Sequence, residues 1–153
     1  MKRDILVIID CSGSMREMGK DVVLKLARNS IMLTVREWTD ISLKFFKWNE
    51  KVEPLKNLKE LFSKGSADIH VLRDFFSEID ANSRVLVISD GLWADGAADK
   101  LKKTISERNI CTMPISVGID FNQSNLKKIS YPSAKVWQII DLPTALHCLS
   151  YGG

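Results

Sequence analysis

The chain alternates short apolar runs with longer segments in which apolar residues recur every three or four positions. The first run, 4–9, carries Ile5-Leu6-Val7-Ile8-Ile9 without a polar interruption, as a strand covered on both faces requires. Arg84–Ser89 (Arg-Val-Leu-Val-Ile-Ser) repeats that character, and each run is followed by a carboxylate, Asp10 and Asp90. Between them the spacing predicts a long helix over about 18–38, with Val23, Ala27, Ile31 and Val35 at i+4 and Val22, Leu26 and Leu33 on an adjoining stripe. That breadth implies a helix packed closely on the sheet. Ile41–Trp48 alternates less cleanly and predicts a strand with one wetter face. The turn at Asn49-Glu50 then leads into a short antiparallel edge strand over 51–53, ended by Pro54.

The remaining elements follow the same rhythm. A short amphipathic helix is expected over 55–62 and a loop over 63–67. Asp68 is placed to cap a helix reaching Ile79, with Ile69, Leu72, Phe75 and Phe76 inward. Beyond the loop at 91–95 come a helix over 96–108, a strand over 110–117, a short helix over 122–129, a strand over 134–140 and a closing helix over 142–149. Strand and helix alternate almost throughout. The expected fold is α/β and doubly wound: a mainly parallel six-stranded sheet with one antiparallel edge strand and helices on both faces. At 153 residues one domain spanning 1–153 is the simplest division, large enough to bury a real core.

Composition removes several function classes. Lys and Arg total 22 against 19 Asp and Glu, and the resulting +3 is interspersed rather than clustered, which argues against a nucleic-acid binder. No stretch approaches the ~20 apolar residues of a membrane span. The opening apolar run is too short for a secretory leader. Cys11, Cys111 and Cys148 are odd in number and far apart, so neither a disulfide framework nor a CxxC metal pair can be read; reduced thiols in a cytoplasmic protein are expected.

The chemistry concentrates at the strand ends. Asp10, Ser12 and Ser14 offer three oxygen donors directly behind a buried strand, with Gly13 between the serines to let the backbone turn. Ligands of open α/β sheets bind outside the carboxyl ends of the strands, and oxygen donors suit Mg²⁺, Mn²⁺ or Ca²⁺. An aspartate after a strand often only caps the next helix; the two hydroxyls and the second carboxylate, Asp90, make the metal reading the stronger one. The most apolar strands of such a sheet are central, so Asp10 and Asp90 are expected to be neighbours. Met15, Arg16, Glu17, Leu92 and Trp93 fall in the flanking loops, where an apolar rim suits a protein partner. Trp38, Trp48 and Trp137 read as packing.

Asp10-x-Ser12-x-Ser14 after one apolar strand, with Val-Leu-Val-Ile-Ser-Asp90-Gly91 after a later one, resembles the von Willebrand factor A-like domain and its metal-ion-dependent adhesion site. The likeness extends over nearly the whole chain in motif order. It implies that Asp10, Ser12, Ser14 and Asp90 hold a divalent cation, to which an Asp or Glu of another protein binds. In one respect the chain departs from the pattern. The family adds a threonine from a Gly-Gly-Thr-Asp type stretch, and here that stretch is Gly65-Ser66-Ala67-Asp68, with Ala67 at the threonine position and Ser66 one residue away as the substitute donor. Two other readings stay open: a metal-dependent hydrolase or phosphotransferase, and a scaffold that has lost its ion. Against catalysis, His70 and His147 fall on predicted helices rather than at strand ends, and neither a nucleophile elbow nor a Walker A loop is present.

Overall fold

Eight residues, Arg3–Asp10, form the central strand β1 of a computed structural model that describes residues 1–57, 61, 64–94 and 96–152. Ile5, Val7, Ile8 and Ile9 are all at 0% exposure, so both faces of the strand are covered and no polar alternation is possible. A 3-10 segment, Gly13–Gly19, leads into α1 (Lys20–Val35); then come β2 (Ile41–Trp48), β3 (Val52–Pro54), α2 (Ile69–Glu78) and β4 (Arg84–Ser89). The second half is α3 (Asp99–Glu107), β5 (Cys111–Ser116), α4 (Gln123–Ile129), β6 (Trp137–Gln138) and α5 (Leu142–Tyr151).

The six strands form one sheet in the order β3-β2-β1-β4-β5-β6, parallel throughout except for β3, which pairs antiparallel with β2 at the edge. This is the doubly wound arrangement expected. Ile5, Val7 and Ile9 of β1 face a cluster with Leu24, Ala27 and Ile31 of α1 and Leu142, Ala145, Leu146 and Leu149 of α5. On the opposite face Ile8, Val85 and Val87 meet Ile69, Leu72 and Phe76 of α2, Leu101 and Ile105 of α3, and Leu126 and Ile129 of α4. Each fully buried aliphatic side chain of these clusters contributes roughly 1.5–3 kcal/mol of transfer free energy. Among the described residues, no helix is long and apolar enough to cross a membrane.

The chain runs from β1 through α1 to β2 on one side, and from β4 to β5 on the other. The switch in direction falls between β1 and β4, which pair directly through Ile9 and Ile88. A crevice therefore opens where Asp10 and Asp90 leave their strands.

Four expectations need correction. The first helix starts at Lys20 rather than Met18, because Met18 (φ 53°) and Gly19 (φ 76°) take left-handed backbone that no α-helix continues through. Its buried stripe is narrow: Val22, Leu26 and Leu33 are 55%, 60% and 69% exposed, while Lys20, Leu24, Ala27 and Ile31 are buried and Val23 and Val35 are partly buried against the same cluster. The strand expected over 134–140 pairs only at Trp137 and Gln138 before the chain turns into a 3-10 segment, Ile139–Asp141. Half of the helix expected over 55–62 lies outside the described residues, and the described 55–57 and 61 are not helical.

Candidate functional site

β1 delivers Asp10 to the crevice fully buried. Its Oδ1 accepts the Ser12 N–H at 2.9 Å and its Oδ2 accepts the Ser89 hydroxyl at 2.6 Å. Ser12 and Ser14 turn their hydroxyls toward each other at 3.3 Å. No lysine or arginine among the described residues pairs with Asp10, so its partners are uncharged. Burial pushes its pKa up to about 6, the hydrogen bonds of Ser89 and Ser12 pull it partly back, and the nearby charge of Asp90 adds to the rise.

Asp90 stands beside it in a different environment. Its Oδ2 lies 3.1 Å from the Lys20 ammonium, which is itself buried at the first residue of α1, and its Oδ1 accepts the Leu92 N–H at 3.1 Å. Lys20 Nζ also lies 2.7 Å from Asp120 Oδ1, on the loop between β5 and α4. Burial alone would push the Lys20 pKa down; hydrogen bonds and charges from Asp120 and Asp90 outweigh it and leave the ammonium above its usual range. Asp120 is correspondingly held below the usual carboxylate range by Lys20.

The turn after Asp90 is fixed from the α4 side. Asn122 donates its backbone N–H to the Asp90 carbonyl at 2.8 Å, and buried Asn125 donates its amide to the carbonyls of Gly91 and Trp93, both at 2.9 Å. Gly91 has φ +70°, and a Cβ there would fall 2.8 Å from the Asn122 carbonyl oxygen, so glycine is required by both conformation and space. Ser89 joins the two loops: its hydroxyl donates to Asp10 and accepts the Gly91 N–H at 3.0 Å.

A third loop closes the crevice. Gly13 donates to the Gly65 carbonyl at 2.8 Å and Lys64 to the Cys11 carbonyl at 2.9 Å, drawing 64–67 alongside the β1 loop. The loop is held from behind by Trp48, whose Nε1 donates to the Asp68 carbonyl, while Asp68 caps α2 by accepting from the amides of His70 and Val71. The result is an open cleft lined by Ser12, Ser14, Ser66, Ala67, Leu92 and Trp93. Ser66 is exposed on it, and Ala67 presents only a methyl group.

Asp10, Ser12, Ser14, Asp90 and Ser66 are thus brought to one crevice, but Asp90 arrives bound to an ammonium. Of the rim residues, Arg16 and Leu92 stay exposed. Met15 does not: it is at 0% exposure and packs into the α1 side of the core. Trp93 does both, lining the cleft while its ring lies 5.7 Å from that of buried Trp48. The sequence reading missed Lys20, Ser89, Asp120 and Asn125. Lys20 had a signal, since it opens the inward spacing Lys20-Leu24-Ala27-Ile31, where a charge calls for a buried partner.

The donor set suits a hard cation in part. Ser12 and Ser14 converge, and behind them lies a buried carboxylate whose charge no basic side chain among the described residues offsets. Asp90 does not suit it while Lys20 holds it. Among the described residues no three His, Cys, Asp or Glu side chains converge on one point, so a cradle here rests on hydroxyls and one carboxylate. His70 is exposed on α2, and His147 packs against Trp38 and Tyr151, away from the crevice. The buried Cys11 thiol is pushed up to about 12 by burial first and the Asp10 charge second, which makes it inert.

No family model and no curated protein matches this chain. Solved structures do. A von Willebrand factor type A protein from Catenulispora acidiphila superposes with a TM-score of 0.69 at 15% identity, over 97% of this chain and 42% of that one. The ArnB paralog VWA2 from Sulfolobus acidocaldarius gives 0.69 at 18% identity, over 95% and 44%. The pilus adhesin SpaC from Lactobacillus rhamnosus gives 0.66 at 9% identity, over 97% and 29%. The chain therefore spans less than half the length of each of these three. At such identities the likeness concerns architecture, and the architecture is the von Willebrand factor A fold.

Proposed function

We propose that this chain is a protein-interaction module of the von Willebrand factor A type, which takes a divalent cation of the Mg²⁺, Mn²⁺ or Ca²⁺ class at Asp10, Ser12 and Ser14. The cation would supply an electrophilic position for an Asp or Glu side chain of a partner protein. The observation that carries this reading is Asp10, a carboxylate buried without a basic partner among the described residues, directly behind two converging hydroxyls. Asp10 provides the charge, Ser12 and Ser14 the neutral donors, and Ser66 a further hydroxyl at the open side. Exposed Leu92 and the Trp93 ring supply apolar contact beside the cleft, and Arg16 a charge that favours an acidic partner. The fold is shared with a pilus adhesin, which agrees with an adhesive role. Three free cysteines fit a reducing compartment.

Two observations favour a second reading, a scaffold that binds partners without an ion: Ala67 offers no oxygen, and Lys20 already neutralises Asp90. Catalysis is the least supported, since neither histidine nor Cys11 is placed to act as base or nucleophile. Calorimetric titration with Mg²⁺, Mn²⁺ and Ca²⁺ separates the first two. The cation reading predicts saturable heat that Ser12→Ala and Ser14→Ala each abolish. No heat and no thermal stabilisation with any of the three ions would leave the scaffold. A phosphoester screen that found turnover lost in Asp10→Asn would replace both with an enzyme.

A further inference from the structure

A lysine with no exposed surface needs carboxylates to hold it, because a bare buried ammonium costs far more than a fold of this size can carry. Lys20 has two, Asp90 at 3.1 Å and Asp120 at 2.7 Å. Its stem crosses the chain at Gly118, where φ is +84° and a Cβ would fall 2.5 Å from Lys20 Cε. The backbone just beyond β5 is thus left bare where this side chain passes. Asp90 is fixed on its other side by the Leu92 N–H, and its turn by Asn122 and Asn125. Swinging its carboxylate to another cation would break the ion pair and leave Lys20 with Asp120 alone.

We infer that Lys20 is a positioning residue that withdraws Asp90 from the ion, so that Asp10, Ser12 and Ser14 hold the cation alone and the Lys20 charge sets how tightly it binds. This rests on the cation reading given above. Lys20 acts twice in the same direction: it occupies a carboxylate that would otherwise serve as a ligand, and its own positive charge opposes a second cation close by. Asp120 acts the opposite way, by neutralising part of that charge. The site binds its ion weakly and leaves it more electrophilic toward an incoming carboxylate than a site with two carboxylates would.

Mn²⁺ titrations of the wild type and of Lys20→Met, Asp120→Asn and Asp90→Asn test this. Removing the ammonium in Lys20→Met should tighten Mn²⁺ binding roughly tenfold, and Asp120→Asn should weaken it a few-fold. A purely structural role for Lys20 would weaken binding in both, so the opposite signs are the distinguishing result. Asp90→Asn should weaken binding no more than Asp120→Asn does, and this pair decides the matter if Lys20→Met fails to fold. Lys20→Met binding no tighter than wild type, or Asp90→Asn alone abolishing binding, overturns the inference and leaves the cation reading standing. A wild type without any saturable Mn²⁺ heat removes the cation reading itself, and this inference with it.

Discussion

Asp10 and Asp90 end adjacent buried strands, each is followed within three residues by a glycine, and each is at 1% exposure or less. Their surroundings differ in one respect that decides their chemistry. Asp90 faces an ammonium, whereas among the described residues Asp10 faces only an amide and a hydroxyl. A buried ion pair has its charge balanced inside the fold; a buried carboxylate with neutral partners either takes up a proton or attracts a cation from outside. The same strand-end grammar thus yields one closed and one open electrostatic site, 80 residues apart in sequence and side by side in space.

The largest consequence concerns stability. Lys20→Met leaves Asp90 buried without its counter-ion, and the loss of one partner of a buried pair costs about 3–5 kcal/mol. Urea denaturation at neutral pH should show it, and a loss under 1 kcal/mol would mean that Asp90 is not closed off as described. Asp10 should respond to pH instead. Its folded pKa is about 6 against an ordinary 3.8, so between these values the folded state keeps a proton that the unfolded state has released. The contribution of Asp10 to stability without divalent ions should therefore be fullest below about pH 4 and fall as pH rises to about 6, by about 3 kcal/mol for two pKa units. Comparing wild type with Asp10→Asn in EDTA isolates this slope, and equal slopes for the two proteins would contradict it. A smaller effect belongs to Ser89, which bridges the sites. Ser89→Ala removes a hydrogen bond to a charged acceptor and should cost about 2 kcal/mol at neutral pH while raising the Asp10 pKa further.

The fold was legible because long apolar runs and helical spacing respond to burial, which the sheet imposes on whole elements at once. Arg84–Ser89 is a strand over the predicted residues, and Asp68 caps its helix as expected by accepting backbone N–H groups. Boundaries failed where single residues override the pattern, as at Met18 and Gly19, whose left-handed backbone delays α1. Met15 was misplaced for a related reason: the 3-10 segment turns it inward, which hydrophobicity alone does not distinguish from an apolar rim. The closeness of Asp10, Ser12 and Ser14 was readable because they lie near one another in sequence and share one loop. The fate of Asp90 was not, because it is decided by a side chain 70 residues away reaching from the start of α1 past Gly118. Local spacing carries no information about such a reach, although a lysine on an inward stripe marks where to look.

Asp10 is thus the open carboxylate of the crevice and Asp90 the closed one. The most direct test follows the carboxyl carbons of both aspartates by NMR, across pH in EDTA and again with saturating Mg²⁺. Asp10 should titrate near 6 in EDTA and move to lower pH with Mg²⁺, while the Asp90 resonance should stay in place on addition of the ion. An Asp10 that titrates in the ordinary carboxylate range in EDTA, or an ion that shifts Asp90 and leaves Asp10 unmoved, would contradict this assignment.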